Sequence, residues 1–461
     1  MSDHPCELQA AVLPDGVGVQ LGPATQPPNE EAYTERTYRP PAHSVKPLEA
    51  WQGSDPDLAF FELPHVYTWR TVPVSASVTT IAHSFESPFV AEEALRVMRT
   101  SKSQAWPRSK YVAGLVPLEA WRPGMGLLAE RGGLTVASLP PYALEASADV
   151  DAAMRIFAEA PTKDKLPIIG EEGNEAEILA YERVHTDEEI KIEWKRNGDE
   201  MSARGTEAHH QAELFFNGLP FRWWSRDAAP LLHFVRTHMV PRGIVAHWTE
   251  REIYCADADL AGSIDLIAYD PGSGKHHVID HKRSDKLQGS EHGFKRMLGE
   301  LKHLDDCKCA GFALQLSLYQ YVLERDYGLT IDERVLLTLH PDVAPYATSV
   351  PYLGEEVAFI MERRMALVRA RRRAAEADPS LRCARSGAPA VDAVRLADGD
   401  VVMEKQAMLL GVPYEPALDV RERFEAAVAA VLEDVPAPKF SLSWKRRMPA
   451  SGAVPFSGAV A

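Results

Sequence analysis

Apolar residues recur most regularly between His185 and Leu339, and this stretch predicts the most structure. Thr186-Asp187-Glu188-Glu189 reads as a capping box, in which the threonine and the third-following glutamate satisfy each other's free amides at a helix start. The helix it opens runs through Ile190 and Trp194, and a second helix starts at Gly205-Thr206 and carries Ala208, Ala212 and Leu214. Short β-branched and aromatic runs predict strands over 244–248, 250–254 and 260–269. Asp270-Pro271-Gly272-Ser273-Gly274 is a hairpin signal, and it leads into a strand over 276–282. A helix over 312–323 and a strand over 335–339 follow. This order predicts an α/β fold with a central mixed β-sheet flanked by helices.

The pattern outside this core is looser. Residues 1–56 are rich in proline and polar side chains and predict a flexible leader. An N-terminal accessory segment, 57–122, has β-like runs over 66–74 and 75–81 and a helix over 91–98. Residues 123–185, with Gly132-Gly133 and Pro140-Pro141, predict an insertion on the surface of the 186–345 core. Residues 346–448 predict a helical C-terminal region, and 449–461, made of small residues, a disordered tail.

With 45% hydrophobic and 25% charged residues among 461, the chain can bury a core and form two or three domains. The net charge of −16 excludes a protein that coats nucleic acid non-specifically. It leaves room for a local basic groove, and Arg363, Arg364, Arg369, Arg371, Arg372 and Arg373 crowd one predicted helix. The five scattered cysteines suggest a reducing, intracellular compartment, either cytoplasm or nucleus or a virus-infected cell. No signal or transit pattern opens the chain, and no apolar run predicts a membrane span.

Candidate chemistry lies on the strands joined by the 270–274 turn. Side chains alternate along a strand, so Asp280 and Lys282 share a face, and the hairpin can bring Asp265 beside them. Two carboxylates and an ammonium among Ile264, Leu266, Val278 and Ile279 are costly unless their charge is balanced. Mg²⁺ would balance it, leaving Lys282 to orient the attacking water or to stabilise charge on phosphorus. Alone, Asp-x-Lys is a weak signal, and an exposed ion pair is its commoner meaning. Three further features weigh against that reading. His209 and Glu213 share a helix face, and a neutral imidazole there can ligate a metal. Gln315 and Tyr319 share a face of the next helix. Glu250 and Glu252, both on the strand before Asp265, are alternative extra carboxylates. The pairs His209-His210 and His276-His277 lack the His-x-x-x-His spacing of a helical zinc site.

The ordered set Gly205-Thr206-x-x-His209, Glu250, Gly262-x-x-Asp265, Asp280-x-Lys282 and Gln315-x-x-x-Tyr319 resembles the PD-(D/E)XK nuclease superfamily. Within it, the set is similar to the RecB-like branch, which includes the mitochondrial genome maintenance exonuclease. The resemblance covers residues 185–345, and Ser77-Val78-Thr79-Thr80 with Lys110-Tyr111 is similar to the segment preceding the core in eukaryotic and viral members. It implies metal ligation by His209, Asp265 and Asp280, with the carbonyl of His281 as a further ligand. Lys282 would be the catalytic lysine, Glu250 an auxiliary acid, and Gln315 and Tyr319 a supporting motif. The implied activity is Mg²⁺- or Mn²⁺-dependent hydrolysis of DNA from single-stranded ends, leaving 5′ phosphates, in repair or replication. Only Cys307 and Cys309 lie near the core, so the iron–sulfur cluster of some RecB-like members is not expected. Lys102, Trp106, Lys110, Arg371, Arg372 and Arg373 are candidates for holding the strand, with Trp106 or Trp444 stacking on bases. The same residues leave open an endonuclease, an RNA-directed nuclease and a silent module binding DNA or protein. The intact Asp265, Asp280 and Lys282 favour an active enzyme.

Overall fold

The computed structural model describes residues 57–101, 106, 108, 111–115, 165–169, 178–223, 225–433, 440 and 442–447. These fall into two compact units, one from Met1–Ser87 with Ala203–Ala461 and one from Pro88–Ser202.

The larger unit begins with a small antiparallel sheet of β1 (Leu58–Phe61), β2 (Val66–Trp69) and β3 (Val72–Pro73). The two-residue β4 (Ala76–Ser77) then gives way to helix α1 (Val78–His83), so the strand expected over 75–81 is mostly a helix. The physical reason is local, because the Ser77 hydroxyl accepts the Thr80 amide at 3.1 Å and caps the first turn.

In the smaller unit, helix α2 (Ala91–Thr100) buries Leu95 and Met98 with Tyr111 and Ile190. Strands β5 (Val112–Leu115), β6 (Lys165–Ile169) and β7 (Ile178–Val184) form an antiparallel sheet in the order β5-β7-β6. Helix α3 (Asp187–Phe216) opens with the expected capping box, the Thr186 amide donating to the Glu189 carboxylate at 2.8 Å. It is one helix where two were expected. Gly198 and Gly205 each cost roughly 1 kcal/mol in a helix, too little to break thirty helical residues.

From Ala203 onward α3 belongs to the larger unit, where α4 (Ala228–Phe234) and a π-helical stretch, Val235–Met239, follow. The central sheet is built from β8 (Val245–Cys255), β9 (Leu260–Asp270), β10 (Lys275–Lys282), β11 (Ile331–Thr338) and β12 (Tyr346–Ser349). Its order is β12-β11-β10-β9-β4, with β8 also on β9; β10–β11 and β4–β9 are parallel and the other pairs antiparallel. The two strands expected over 244–254 are one. Their alternation breaks at Thr249-Glu250, where Glu250 takes a left-handed φ of 46° while the pairing with β9 continues on either side.

Helices cover both faces of this mixed sheet. On one, Ala212, Phe215 and Phe216 of α3 and Leu231 of α4 bury Leu266, Ala268 and Ile279. On the other, α5 (Lys308–Asp326) lays Leu314 and Leu318 over Ile264 and Val278. The C-terminal region runs through α6 (Gly354–Ala377), β13 (Ala393–Leu396), β14 (Val401–Met403), α7 (Glu404–Leu410), β15 (Tyr414–Pro416), α8 (Leu418–Glu433) and α9 (Trp444–Arg447). Besides the expected helices it therefore holds a sheet, ordered β14-β13-β15. No helix among the described residues is long and apolar enough to cross a membrane.

Candidate active site

Strands β9 and β10 pair from Lys275↔Asp270 to Ile279↔Leu266, and there the ladder ends. Beyond it, the Asp265 carboxylate takes the place of a backbone acceptor, receiving the His281 amide at 2.6 Å. Asp280, His281 and Lys282 stay in register with Leu336, Leu337 and Thr338 of β11, so β10 is held while β9 leaves it. The two strands part here, with Asp265 on β9 and Asp280 on β10 at the point of separation.

Glu250 stands across β9 from Asp265, between the register pairs Thr249↔Leu266 and Arg251↔Ile264. Its backbone is left-handed, with φ 46°, a conformation that costs a non-glycine residue of the order of 1 kcal/mol or more. Such strain aims a side chain where a regular strand would not. Burial, and then the charge of Asp265, push the Glu250 carboxyl up to about 7. Of Glu250 and Glu252, it is Glu250 that is grouped with His209 and Asp265. His209, on α3, closes the group, its Nδ1 3.6 Å from the Asp265 carboxylate. Donor atoms of His209, Glu250 and Asp265 all lie within 4.8 Å of one another.

Asp280 and Lys282 share a face, as alternation requires, and Lys282 Nζ lies 2.7 Å from the Asp280 carboxylate. This is the ion pair considered above, but Asp280 is buried and Lys282 only partly exposed. Burial raises the Asp280 carboxyl against the opposing pull of Lys282. Burial alone would lower the Lys282 amine, yet Asp280, Asp265 and Glu250 together raise it and hold it as a cation. The ammonium also sits 4.7 Å from the centre of the Phe312 ring on α5.

One turn and two turns further along α5 come Gln315 and Tyr319, joined by a 3.3 Å hydrogen bond from the amide to the phenol. Tyr319 is buried, and its ring lies against the backbone of β9 at Gly262. A Cβ there would come within 2.8 Å of the ring and 3.1 Å of Val78. The Gly262-x-x-Asp265 spacing therefore has a steric cause: the glycine admits the tyrosine that supports the acidic end of the strand.

Sequence reasoning missed Tyr67. Its hydroxyl is hydrogen-bonded to the Ser263 backbone, and burial, then Glu252 and Glu250, push it well above the ordinary phenol range. The alternation of Val66-Tyr67-Thr68-Trp69 was the available signal, but it says nothing about which sheet the tyrosine faces.

A family model of the PD-(D/E)XK nuclease superfamily matches residues 178–442, more than half of the chain. The chain belongs to the PD-(D/E)XK nuclease superfamily. No curated protein matches it. Membership makes the chain a nuclease, a hydrolase of nucleic acid, in a superfamily that typically uses divalent metals. The donor set suits such an ion. Oxygen ligands with one imidazole are what a hard or borderline cation takes, and crowded carboxylates are what its charge relieves.

His281 meets the acidic cluster through its backbone, and other predicted residues of this PD-(D/E)XK nuclease are not gathered there. The His281 ring is buried, edge-on to His209 at 5.7 Å and stacked on Phe216, and burial, then the His209 charge, lower it to about 3. Trp106 belongs to the smaller unit, where it packs on Tyr111 and under Arg99. Lys102 and Lys110 lie outside the described residues. Arg371 and Arg372 line a cleft beside Trp69 and Tyr254, and Arg373 is exposed. Trp444 does not stack on bases. It is fully buried, and its indole donates to the Glu291 carbonyl at 2.5 Å.

Proposed function

We propose that the chain is a Mg²⁺- or Mn²⁺-dependent deoxyribonuclease that hydrolyses DNA from single-stranded ends. The observation that carries the reading is the buried Asp280 and its half-buried partner Lys282, beside the mutually repelling carboxylates of Asp265 and Glu250. A structural ion pair needs no further acids around it, whereas a metal-and-phosphate site does. The preference for DNA ends comes from the likeness of the motif order to the RecB-like branch.

In this reading His209, Glu250, Asp265 and Asp280, with the His281 carbonyl, hold the cation. When bound, the ion supplies Lewis acidity and a water of lowered pKa. Lys282, kept protonated by its carboxylates, stabilises negative charge as it grows on the phosphoryl oxygens. Asp280 sets the position of that ammonium, and Phe312 limits its freedom. Gln315 and Tyr319 brace the β9 end through Gly262.

The test is cleavage of end-labelled single-stranded, duplex and RNA substrates, with and without Mg²⁺. Wild type should release short labelled products from single-stranded DNA only when metal is present, and Asp265→Ala should not. Internal fragments from circular DNA would replace the exonuclease reading with an endonuclease, and preference for RNA would change the polymer. Metal-independent cleavage, or wild-type rates in Asp265→Ala, would sink the site.

A further inference from the structure

A second site lies in the larger unit, away from the acidic cluster. It is a cleft of about 320 Å³ between β2–β3, the β8–β9 turn, α6 and the segment after α6. Trp69 and Tyr254 stack at its edge, ring centres 4.4 Å apart and planes 20° from parallel. Arg371 and Arg372 project from α6 to its other side.

The electrostatics are unusual for a chain of net charge −16. Arg364, Arg371 and Lys405 share only two carboxylates, Asp259 and Asp392, and burial pulls all three cations below their ordinary range. Arg364 is committed to the fold, donating to the Ala258 and Asp259 carbonyls and to Ser75. Arg372 donates to the Ala256 carbonyl at 3.0 Å and is otherwise exposed. Arg371 differs from both. Among the described residues no hydrogen bond or ion pair engages its guanidinium, and the side chain is half-buried. A half-buried cation with spare donors at the wall of a cleft, next to a flat aromatic pair, is complementary to a ligand that joins an anion to a planar ring.

We propose that this cleft is a nucleotide subsite for the substrate strand, with a phosphate on Arg371 and Arg372 and a base against the Trp69–Tyr254 pair. The identity of the ligand as a strand rests on the nuclease reading above; the anion-plus-ring chemistry does not. Geometry favours a strand over a free nucleotide. Glu250, Glu252 and Tyr254 alternate along one face of β8, placing Tyr254 about 13 Å along the strand from the acidic cluster. Tyr67 and Trp69 of β2 run alongside, the first facing Glu250 and Glu252, the second facing Tyr254. A chain lying on this face would reach the cleft a few nucleotides from the bond being cut.

The experiment measures binding of a fluorescein-labelled oligothymidylate to full-length protein inactivated by Asp280→Asn, by anisotropy across a salt series. Arg371→Gln should weaken binding about tenfold and lower the salt slope by about 0.7, the value of one single-strand phosphate contact. Trp69→Ala should weaken it about tenfold and Trp69→Phe by far less, since a ring remains to stack on. Circular dichroism melting checks each fold; if Arg371→Gln does not fold, Arg371→Lys, which keeps charge but loses the fork, should still weaken binding severalfold. Unchanged affinity in folded Arg371 and Trp69 variants overturns the subsite. Thymidine monophosphate competing as well as the oligomer, nucleotide for nucleotide, overturns the strand assignment. If these variants behave as expected but wild type cuts no nucleic acid, the cleft stands and the nuclease reading falls.

Discussion

Strand β10 carries two polar clusters about 10 Å apart, and they follow opposite rules. At its start His277 pairs in register with Glu333 of β11. The Glu333 carboxylate lies 3.3 Å from the His277 ring and 3.2 Å from Arg242, and it accepts the Ser349 hydroxyl. Burial would raise this carboxyl, but His277, Ser349, His238 and Arg242 together bring it down to about 2. One acid is surrounded by cations and a hydroxyl donor, so its charge is balanced, although the buried His277 ring nitrogens make no hydrogen bond of their own. At the other end, Asp265, Asp280 and Glu250 share Lys282 and His209, and Glu250 is driven up to about 7. That cluster is short of positive charge. Both ends are buried and polar, so burial alone cannot tell structure from function; the sign of the imbalance can.

The largest effect should come from removing the one cation among the acids. Lys282→Ala is expected to lower cleavage by about 10³-fold, roughly 4 kcal/mol of transition-state stabilisation, with an unchanged circular dichroism spectrum. A stable variant that still cuts within tenfold of wild type would make Lys282 a structural counter-ion like Arg242.

This contrast marks how far the sequence could be read. Asp265, Asp280 and Lys282 were legible because a strong turn fixed the hairpin and alternation fixed the faces. The capping box at Thr186 was legible because its chemistry spans only four residues. Glu250 could not be separated from Glu252, since the deciding quantity is a single left-handed φ inside an irregular strand. Tyr67 and the Arg371 cleft were out of reach for a different reason. Each depends on segments distant in the chain meeting across β8, which local periodicity does not encode. Ser77 shows the converse error: a β-like composition lost to one side-chain cap.

Breaking the balanced cluster should hurt stability and spare chemistry. Glu333→Gln leaves Arg242 and His277 without their acid and is expected to cost about 2 kcal/mol in urea unfolding, with cleavage at 25 °C close to wild type. The same cluster sets an acid limit. Burial, then Arg242, lower the His238 imidazole to about 4, so the unfolded chain takes up that proton first as pH falls below about 6.5. The His238 contribution should therefore be lost between about pH 6.5 and 4, against an opposite gain as the raised Glu250 carboxyl protonates below about 7, so the decline is read in a Glu250→Gln background. A further decline is expected from 4.5 towards 2 as Glu333 protonates, and Glu333→Gln should lack this second limb. Acid unfolding followed by intrinsic fluorescence checks both; a Glu250→Gln curve flat from pH 6.5 to 4 would remove His238 from the account.

The smallest effect should be the most telling, because it has the opposite sign. At pH 8 without metal, Glu250 is ionised beside Asp265 in a place that disfavours its charge, so folding works against that repulsion. Glu250→Gln should then be more stable than wild type by about 1 kcal/mol, a few degrees or less in Tm. Adding Mg²⁺ should reverse the order, because a ligand that binds only the folded state stabilises by RT ln(1 + [L]/Kd) and the variant binds it less well. A thermal-shift series in EDTA and in rising Mg²⁺ reads both halves. If Glu250→Gln is destabilised without metal, as Glu333→Gln should be, then the acidic end of β10 is as balanced as the other, and its missing charge belongs to no ion.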